Sequence, residues 1–281
     1  MAQRSGETCC RRLCGLDESE HREEPAMIKF HSLALISMAL VASSLFVQAS
    51  RADQDSTIPI ASAALPKPNA DGFITLFNGH DLSGWMGRAE CWSVRDGSIS
   101  GHQAKDTSRQ TFLVFSGLKV TDFELRLKYR FASVEGNSGI QFRSKVLDPE
   151  ASRVGGYQAD FDAEVEYDGT IYDEADVAGG RGTMSNRGEK TTWDTESGRH
   201  GEPLSENGAE LKNLIMRGDW NDVILVADGH HVVYTINGHV MTDLVDNAPA
   251  ALREGVLALQ LHAGFTMDVR FKDVRIKVLR Q

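Results

Sequence analysis

Beyond residue 26 the chain contains a single cysteine, Cys91; the other three, Cys9, Cys10 and Cys14, all precede it. No intrachain disulfide can form in that long remainder, so its fold must rest on an apolar core. The chain lacks a G-x-S-x-G elbow, an H-E-x-x-H pair and a P-loop, which removes three large classes of named chemistry. It lacks an excess of positive charge. The formal net charge is −10, which argues against nucleic acid or anionic lipid as the partner. Its longest apolar run, roughly 33 to 47, is short for a membrane span and gives way to polar sequence. No long stretch keeps a helical period, and no internal repeat or low-complexity block follows residue 70.

The organisation that remains begins with Met27-Ile-Lys-Phe-His, continues into that apolar run and exits through Ala49, Ser50 and Ala52. A charged start, a short apolar stretch and small residues describe a secretory signal peptide over 27–52. Cleavage is expected after Val47-Gln-Ala49 or Ser50-Arg-Ala52. Residues 1–26 are polar and patternless, and Met27 is read as the true start, against a rival reading of a cytosolic tail before an uncleaved anchor. Residues 53–70, with Pro59, Pro66 and Pro68, form a linker. A single domain of about 210 residues is expected over 71–281. The chain is expected to be exported, periplasmic or secreted, with no stable membrane insertion after signal removal.

From Asp71 onward short alternating runs are separated by Gly, Asn and Asp. They predict strands at 73–77, 91–95, 111–116, 123–131, 139–143, 157–162, 221–227, 231–236, 239–244, 256–262, 267–271 and 273–279, with a short helix within Ala209–Met216. Asn237-Gly238 marks a two-residue hairpin. Many short strands with turn punctuation mean an all-β sandwich or barrel. Residues 173–210 break the rhythm. They are rich in Gly, Arg, Glu, Asp, Ser and Thr, and are expected to form a long loop whose Trp193 either closes over a ligand or anchors the loop to the body.

Three strands differ from the others. In Leu257–His262 the leucines face one side, while Ala258, Gln260 and His262 face the other. In 136–143, Ile140 and Phe142 alternate with Gln141 and Arg143. In 156–162, Tyr157, Ala159 and Phe161 alternate with Gln158, Asp160 and Asp162. By contrast, 123–131 alternates its apolar residues with Glu124, Arg126, Lys128 and Arg130, which solvate a plain exterior. If the three special strands share a sheet, their polar faces converge into one site. His262 can move a proton near neutral pH. Asp160, Asp162, Asp173 and Glu174 are the candidate carboxylates, although aspartates in such segments commonly make turns. His80 and His102 sit in Gly-containing loops with no ligand spacing. No cofactor is required by the sequence, and a divalent metal ion is left open.

The ordered set Leu76–Trp85, Trp92–Gly101, Gly136–Arg143, Gly156–Asp160, Gly169–Glu174, Gly218–Asn221 and Leu259–His262 resembles the 3-keto-disaccharide hydrolase family over about 71–281. That resemblance implies a concanavalin A-like jelly roll of two antiparallel sheets, with the long loop over a concave sugar-binding face. It also implies a carbohydrate substrate, a glycoside bearing a C3 ketone. A base would take the acidified C2 hydrogen, the enolate would expel the C1 substituent, and water would add. Carried over by position, the groove would contain Asn137, Gln141, Arg143, Gln158, Asp160, Tyr172, Gln260 and His262. Gln158 stands where the family pattern carries Glu, which moves the proton work to Asp160 and His262. Arg143 would steady the enolate. Asn137, Gln141 and Gln260 would orient hydroxyls, and Glu174 is the next catalytic candidate. A non-catalytic carbohydrate-binding module and a conventional two-carboxylate glucanase are the alternatives.

Overall fold

The computed structural model describes residues 65–150, 152–175 and 177–280. The expected extension, the signal peptide and most of the linker lie outside the described residues. In chain order the strands are β1 (Ile74–Thr75), β2 (Trp85–Met86), β3 (Trp92–Arg95), β4 (Ser98–Gln103), β5 (Thr111–Val120), β6 (Asp122–Phe131), β7 (Asn137–Asp148), β8 (Arg153–Asp162), β9 (Ile171–Glu174), β10 (Thr183–Ser185), β11 (Glu189–Asp194) and β12 (Gly198–Pro203). A short helix, α1 (Gly208–Lys212), precedes β13 (Asn221–Asp228), β14 (His231–Ile236), β15 (His239–Asp246), β16 (Gly255–Leu261) and β17 (Met267–Arg280). Alternation of apolar and polar residues makes the strands of the ten-stranded sheet because only one face needs burial, whereas β5, β7, β8 and β16 are buried on both faces. β6 shows the pattern without interruption from Asp122 to Phe131.

The strands form two sheets. One has ten strands in the order β12-β11-β15-β14-β13-β6-β17-β4-β3, with β1 beside β17. The other has seven, in the order β10-β9-β8-β7-β16-β5-β2. All pairings are antiparallel except β11 with β15. This is the expected jelly-roll sandwich. Its core lies between the sheets, where Tyr129 of β6 stacks on Phe161 of β8 at 4.1 Å and Phe271 of β17 lies 5.9 Å from the same ring. Leu257, Leu259, Leu261, Ile140 and Phe142 face this core, as their alternation requires.

The expected strands at 267–271 and 273–279 are one strand, β17, bent by a bulge at Asp273, whose φ is +56°. The expected long loop at 173–210 is different from what its composition suggested. It contains β10, β11 and β12, and Glu189–Trp193 pairs with Thr242–Asp246. Trp193 anchors the segment to the body. Its Nε1 donates to Met184 O at 2.8 Å, and Arg181 lies over its ring at 4.8 Å while bridging to Asp246. The alternation is absent because β11 and β12 end the ten-stranded sheet and leave much of their surface in water. The helix is real but short, closed by a capping box between Asn207 and Glu210.

Candidate functional site

β8, β7 and β16 are consecutive neighbours in the seven-stranded sheet, so the three special strands do share one sheet. Register places Gln141 opposite Gln158 on one side and Ala258 on the other, and Gly139 opposite Asp160. All these residues face away from the core. They form the floor of a cleft of about 360 Å³, lined by Asn137, Gln158, Asp160, Tyr167, Thr170, Tyr172, Glu174, Thr183, His262 and Phe265. β9 and the β8–β9 loop build one wall. Phe265, just after β16, builds the other with His262, the two rings 5.9 Å apart.

The floor is an amide network. Ser144 Oγ lies 2.7 Å from Gln141 Oε1, Gln141 Nε2 donates to Gln158 Oε1 at 2.7 Å, and Gln158 Nε2 donates to Asp160 Oδ1 at 2.5 Å and to Gln260 Oε1 at 3.1 Å. Gln260 Nε2 donates to Glu174 Oε2 at 3.3 Å, and Gln110 Nε2 donates to Glu174 Oε1 at 2.7 Å. Gly139 makes room for this. A Cβ there would lie 2.5 Å from Gln158 Cγ. Gln141 and Gln260 are thus fully buried beneath the cleft and hold its carboxylates in place.

Asp160 is 7% exposed. Burial pushes its carboxyl well above the usual carboxylate range; the Gln158 amide opposes this, and the nearby Glu174 and Asp162 charges reinforce it. Burial therefore favours its protonated form. His262 has the complementary arrangement. Its Nδ1 lies 2.8 Å from Ala263 O, and since a carbonyl only accepts, Nδ1 carries the proton and Nε2 keeps the lone pair. The backbone N–H of His262 donates to Asn137 O at 3.1 Å, and Gln103 Nε2 donates to His262 O. The start of β7 and the end of β16 are thereby tied together, with Asn137 and His262 side by side.

Of the expected site residues, Asn137, Gln158, Asp160, Tyr172, Glu174 and His262 line the cleft, and Gln141 and Gln260 support it. Arg143 is a correction. Its guanidinium is 1% exposed and donates to Thr121 O, Gly229 O and Asp122 Oδ1 at 2.7–2.9 Å, away from the cleft. The cause is a bulge. Arg143 has φ +50°, and the pairing of β7 shifts between 142 and 145 against β8 and between 141 and 144 against β16, so the alternation that would place it beside Gln141 is broken. Asp162 and Asp173 are turn-makers: Asp162 accepts from Glu166 N and Asp173 from Ala178 N, each at 2.8 Å. Tyr167, Thr170, Thr183, Phe265 and Gln110 carry no alternation signal and were not foreseen. Tyr167 and Tyr172, 56% and 37% exposed, stand at the rim as apolar faces for a ring. Among the described residues no cluster of three or more His, Cys, Asp or Glu side chains could hold a metal ion. No described helix is long and apolar enough to cross a membrane.

The 3-keto-alpha-glucoside-1,2-lyase-like domain family matches residues 72–277, and the chain belongs to that family. A 3-keto-disaccharide hydrolase of Bacteroides thetaiotaomicron is 24% identical over 252 residues, which cover 75% of this chain and 80% of the relative. A crystal structure from Parabacteroides distasonis ATCC 8503, described as a candidate glycosyl hydrolase, superposes with a TM-score of 0.50 at 19% identity, covering 75% of this chain and 95% of that one.

Proposed function

We propose that the chain cleaves 3-keto glycosides by elimination and hydration in the cleft over β7, β8 and β16. The observation that carries this reading is the meeting, in one cleft, of the buried Asp160 carboxyl, held by the Gln158 amide, and the His262 imidazole, whose Nδ1 is turned to the Ala263 carbonyl so that Nε2 is left for substrate. His262 Nε2 takes the C2 hydrogen that the C3 ketone acidifies. The electron pair forms the enolate, whose oxygen the Asn137 amide receives. Collapse of the enolate forms the C1–C2 double bond and breaks the C1–O bond, and Asp160 gives its proton to the departing oxygen. Water then adds at C1. Asp160 recovers a proton from that water, and His262 returns its proton to C2, so the net reaction is hydrolysis. Glu174, held at both oxygens by Gln110 and Gln260, binds hydroxyls, and Tyr167 and Tyr172 cover the sugar ring.

A second reading has a specific observation behind it. Asp160 and Glu174 line the same cleft and influence each other electrostatically, an arrangement that also suits a two-carboxylate glycosidase. Reduction of the substrate ketone to an alcohol separates the two. The elimination route loses all turnover on the reduced sugar, a two-carboxylate hydrolase retains it, and a binding module turns over neither form. The same proposal has the chain exported, with cleavage after Ala49 or after Ala52 and a mature start between Ser50 and Asp53. N-terminal sequencing of exported material checks this, and retention of residues 1–26 would refute it.

A further inference from the structure

The outward face of the ten-stranded sheet carries a feature that the cleft chemistry leaves unused. β6 and β17 are direct neighbours, and three of their rungs set cation against cation: Arg130 with Arg270, Lys128 with Lys272, and Arg126 with Arg275. Lys277, opposite Glu124, extends the row. Like charges directly opposite on one sheet face are destabilising, and here they are concentrated in a chain of net charge −10. The alignment depends on the bulge at Asp273. Strict alternation from Arg270 and Lys272 would put Val274 outside; the extra residue buries Val274 and turns Arg275 and Lys277 onto the same face as Arg270 and Lys272. A positive φ at a non-glycine residue is thus used to line up repelling groups.

Acidic neighbours neutralise only part of the row. Arg126 pairs with Glu124, Lys128 with Asp222, and Arg270 with Asp268 and Asp96. Among the described residues no ion pair involves Arg130, Lys272, Arg275 or Lys277. Two aromatic rings hold these groups in place instead. Trp220 lies beneath Lys272 Nζ at 4.1 Å and Arg130 Cζ at 5.1 Å, and Phe73 beneath Arg126 Cζ at 4.9 Å, Arg275 Cζ at 5.6 Å and Lys277 Nζ at 5.9 Å.

We propose that this stripe is a docking site for a single chain of acidic polysaccharide, its carboxylates or sulfates lying along the cation row of β6 and β17. The width of the stripe selects the partner. Two adjacent strands are only about 5 Å apart, and Arg126 to Arg130 spans about 14 Å. A narrow polymer meets the stripe alone, whereas a broad anionic bilayer or duplex also meets the exposed carboxylates Asp96 and Asp222 at its edges, 87% and 59% exposed, within a Debye length of about 8–10 Å. Single-stranded nucleic acid would need free ring faces for its bases, but Trp220 and Phe73 are engaged by the cations. The site lies on the sheet opposite the cleft, so it would hold a polymer without obstructing turnover.

The test uses the whole chain with polygalacturonate, neutral dextran and anionic phospholipid vesicles at low ionic strength. Polygalacturonate should bind and dextran should not, and affinity should fall as salt rises. The double variant Lys272→Gln/Arg275→Gln should weaken binding at least tenfold and flatten the log–log salt slope by roughly 1–2. Lys145→Gln, on the other sheet, should change neither. Relief of repulsion should leave the double variant melting at or above the wild-type temperature, and its turnover in the cleft should be unchanged. Absence of polygalacturonate binding, or unchanged affinity in the folded double variant, would overturn the proposal. Tighter binding to the vesicles than to polygalacturonate would overturn the choice of partner.

Discussion

The outward faces of β8-β7-β16 and of β6-β17 are built on the same two-residue period, yet they have opposite fates. On the seven-stranded sheet Gln141, Gln158, Asp160 and Gln260 are buried and bonded to one another. On the ten-stranded sheet Arg126 and Lys128 keep 40% and 32% of their side chains in water. Amides and short carboxyls cannot reach past the walls that β9 and Phe265 raise around them, so they satisfy each other and lose solvent. Long side chains on β6 extend into water and need no such network. A polar strand face becomes a site when its groups are short, mutually satisfied and partly roofed, and remains an exterior when they are long and hydrated.

The largest effect that should break this contrast is chemical. His262→Gln and Asp160→Asn should each slow the chemical step roughly 10²–10⁴-fold, with substrate binding much less affected, whereas Lys128→Gln should leave kcat unchanged. Rapid-quench kinetics on a 3-keto disaccharide, with melting curves to verify the fold, decide it; wild-type rates in both folded cleft variants would remove these residues from the mechanism. Next in size is Arg143→Met. It removes the guanidinium's bonds to Asp122, Thr121 O and Gly229 O and should destabilise by about 2–3 kcal/mol, while the folded fraction keeps its kcat. A catalytic role for Arg143 would instead appear as a loss of kcat in fully folded protein.

Gly139→Ala drives a methyl group into Gln158 and should cost about 1–3 kcal/mol as overpacking, accompanied by loss of activity because the amide network shifts. The equivalent insertion of volume on the solvent face of β6 should do neither. The smallest effect concerns pH. Asp160 binds its proton more tightly folded than unfolded, so its contribution to stability is unfavourable above its raised folded pKa and vanishes below the ordinary carboxylate value of about 3.9. Asp160→Asn should therefore raise the melting temperature at neutral pH and lose that advantage as pH falls through this window. Lys128→Gln should shift stability by less than about 1 kcal/mol and with little pH dependence, as expected for an exposed pair with Asp222.

Most of the sandwich could be read from the chain because one-sided burial writes a period of two into β6, β13 and β14, while β7, β8 and β16 alternate apolar with polar residues although both their faces are buried, and β5 reads as a short apolar run. The strands that the pattern does not predict, β2, β4 and β9 to β12, are short or lie near sheet edges, where burial asks little of the side chains. In the cleft, Gln158, Asp160, Gln260 and His262 were visible as unusual polar partners of apolar strand residues. Tyr167, Thr183, Phe265 and Gln110 enter from loops and neighbouring strands, where no periodicity marks them.

The sequence by itself determined an all-β sandwich or barrel and the polar faces of three strands, because both follow from local alternation and turn residues; the two-sheet jelly roll came from the family resemblance. Only the tertiary structure decided which of those polar groups meet. A bulge removes Arg143 from the cleft and another aligns Arg275 with Lys272, and each shifts side chains by one residue relative to the same alternation. Burial, which pushes the Asp160 carboxyl above the usual carboxylate range, likewise depends on walls supplied by segments distant in the chain. Both are long-range effects, and a local pattern carries no record of them.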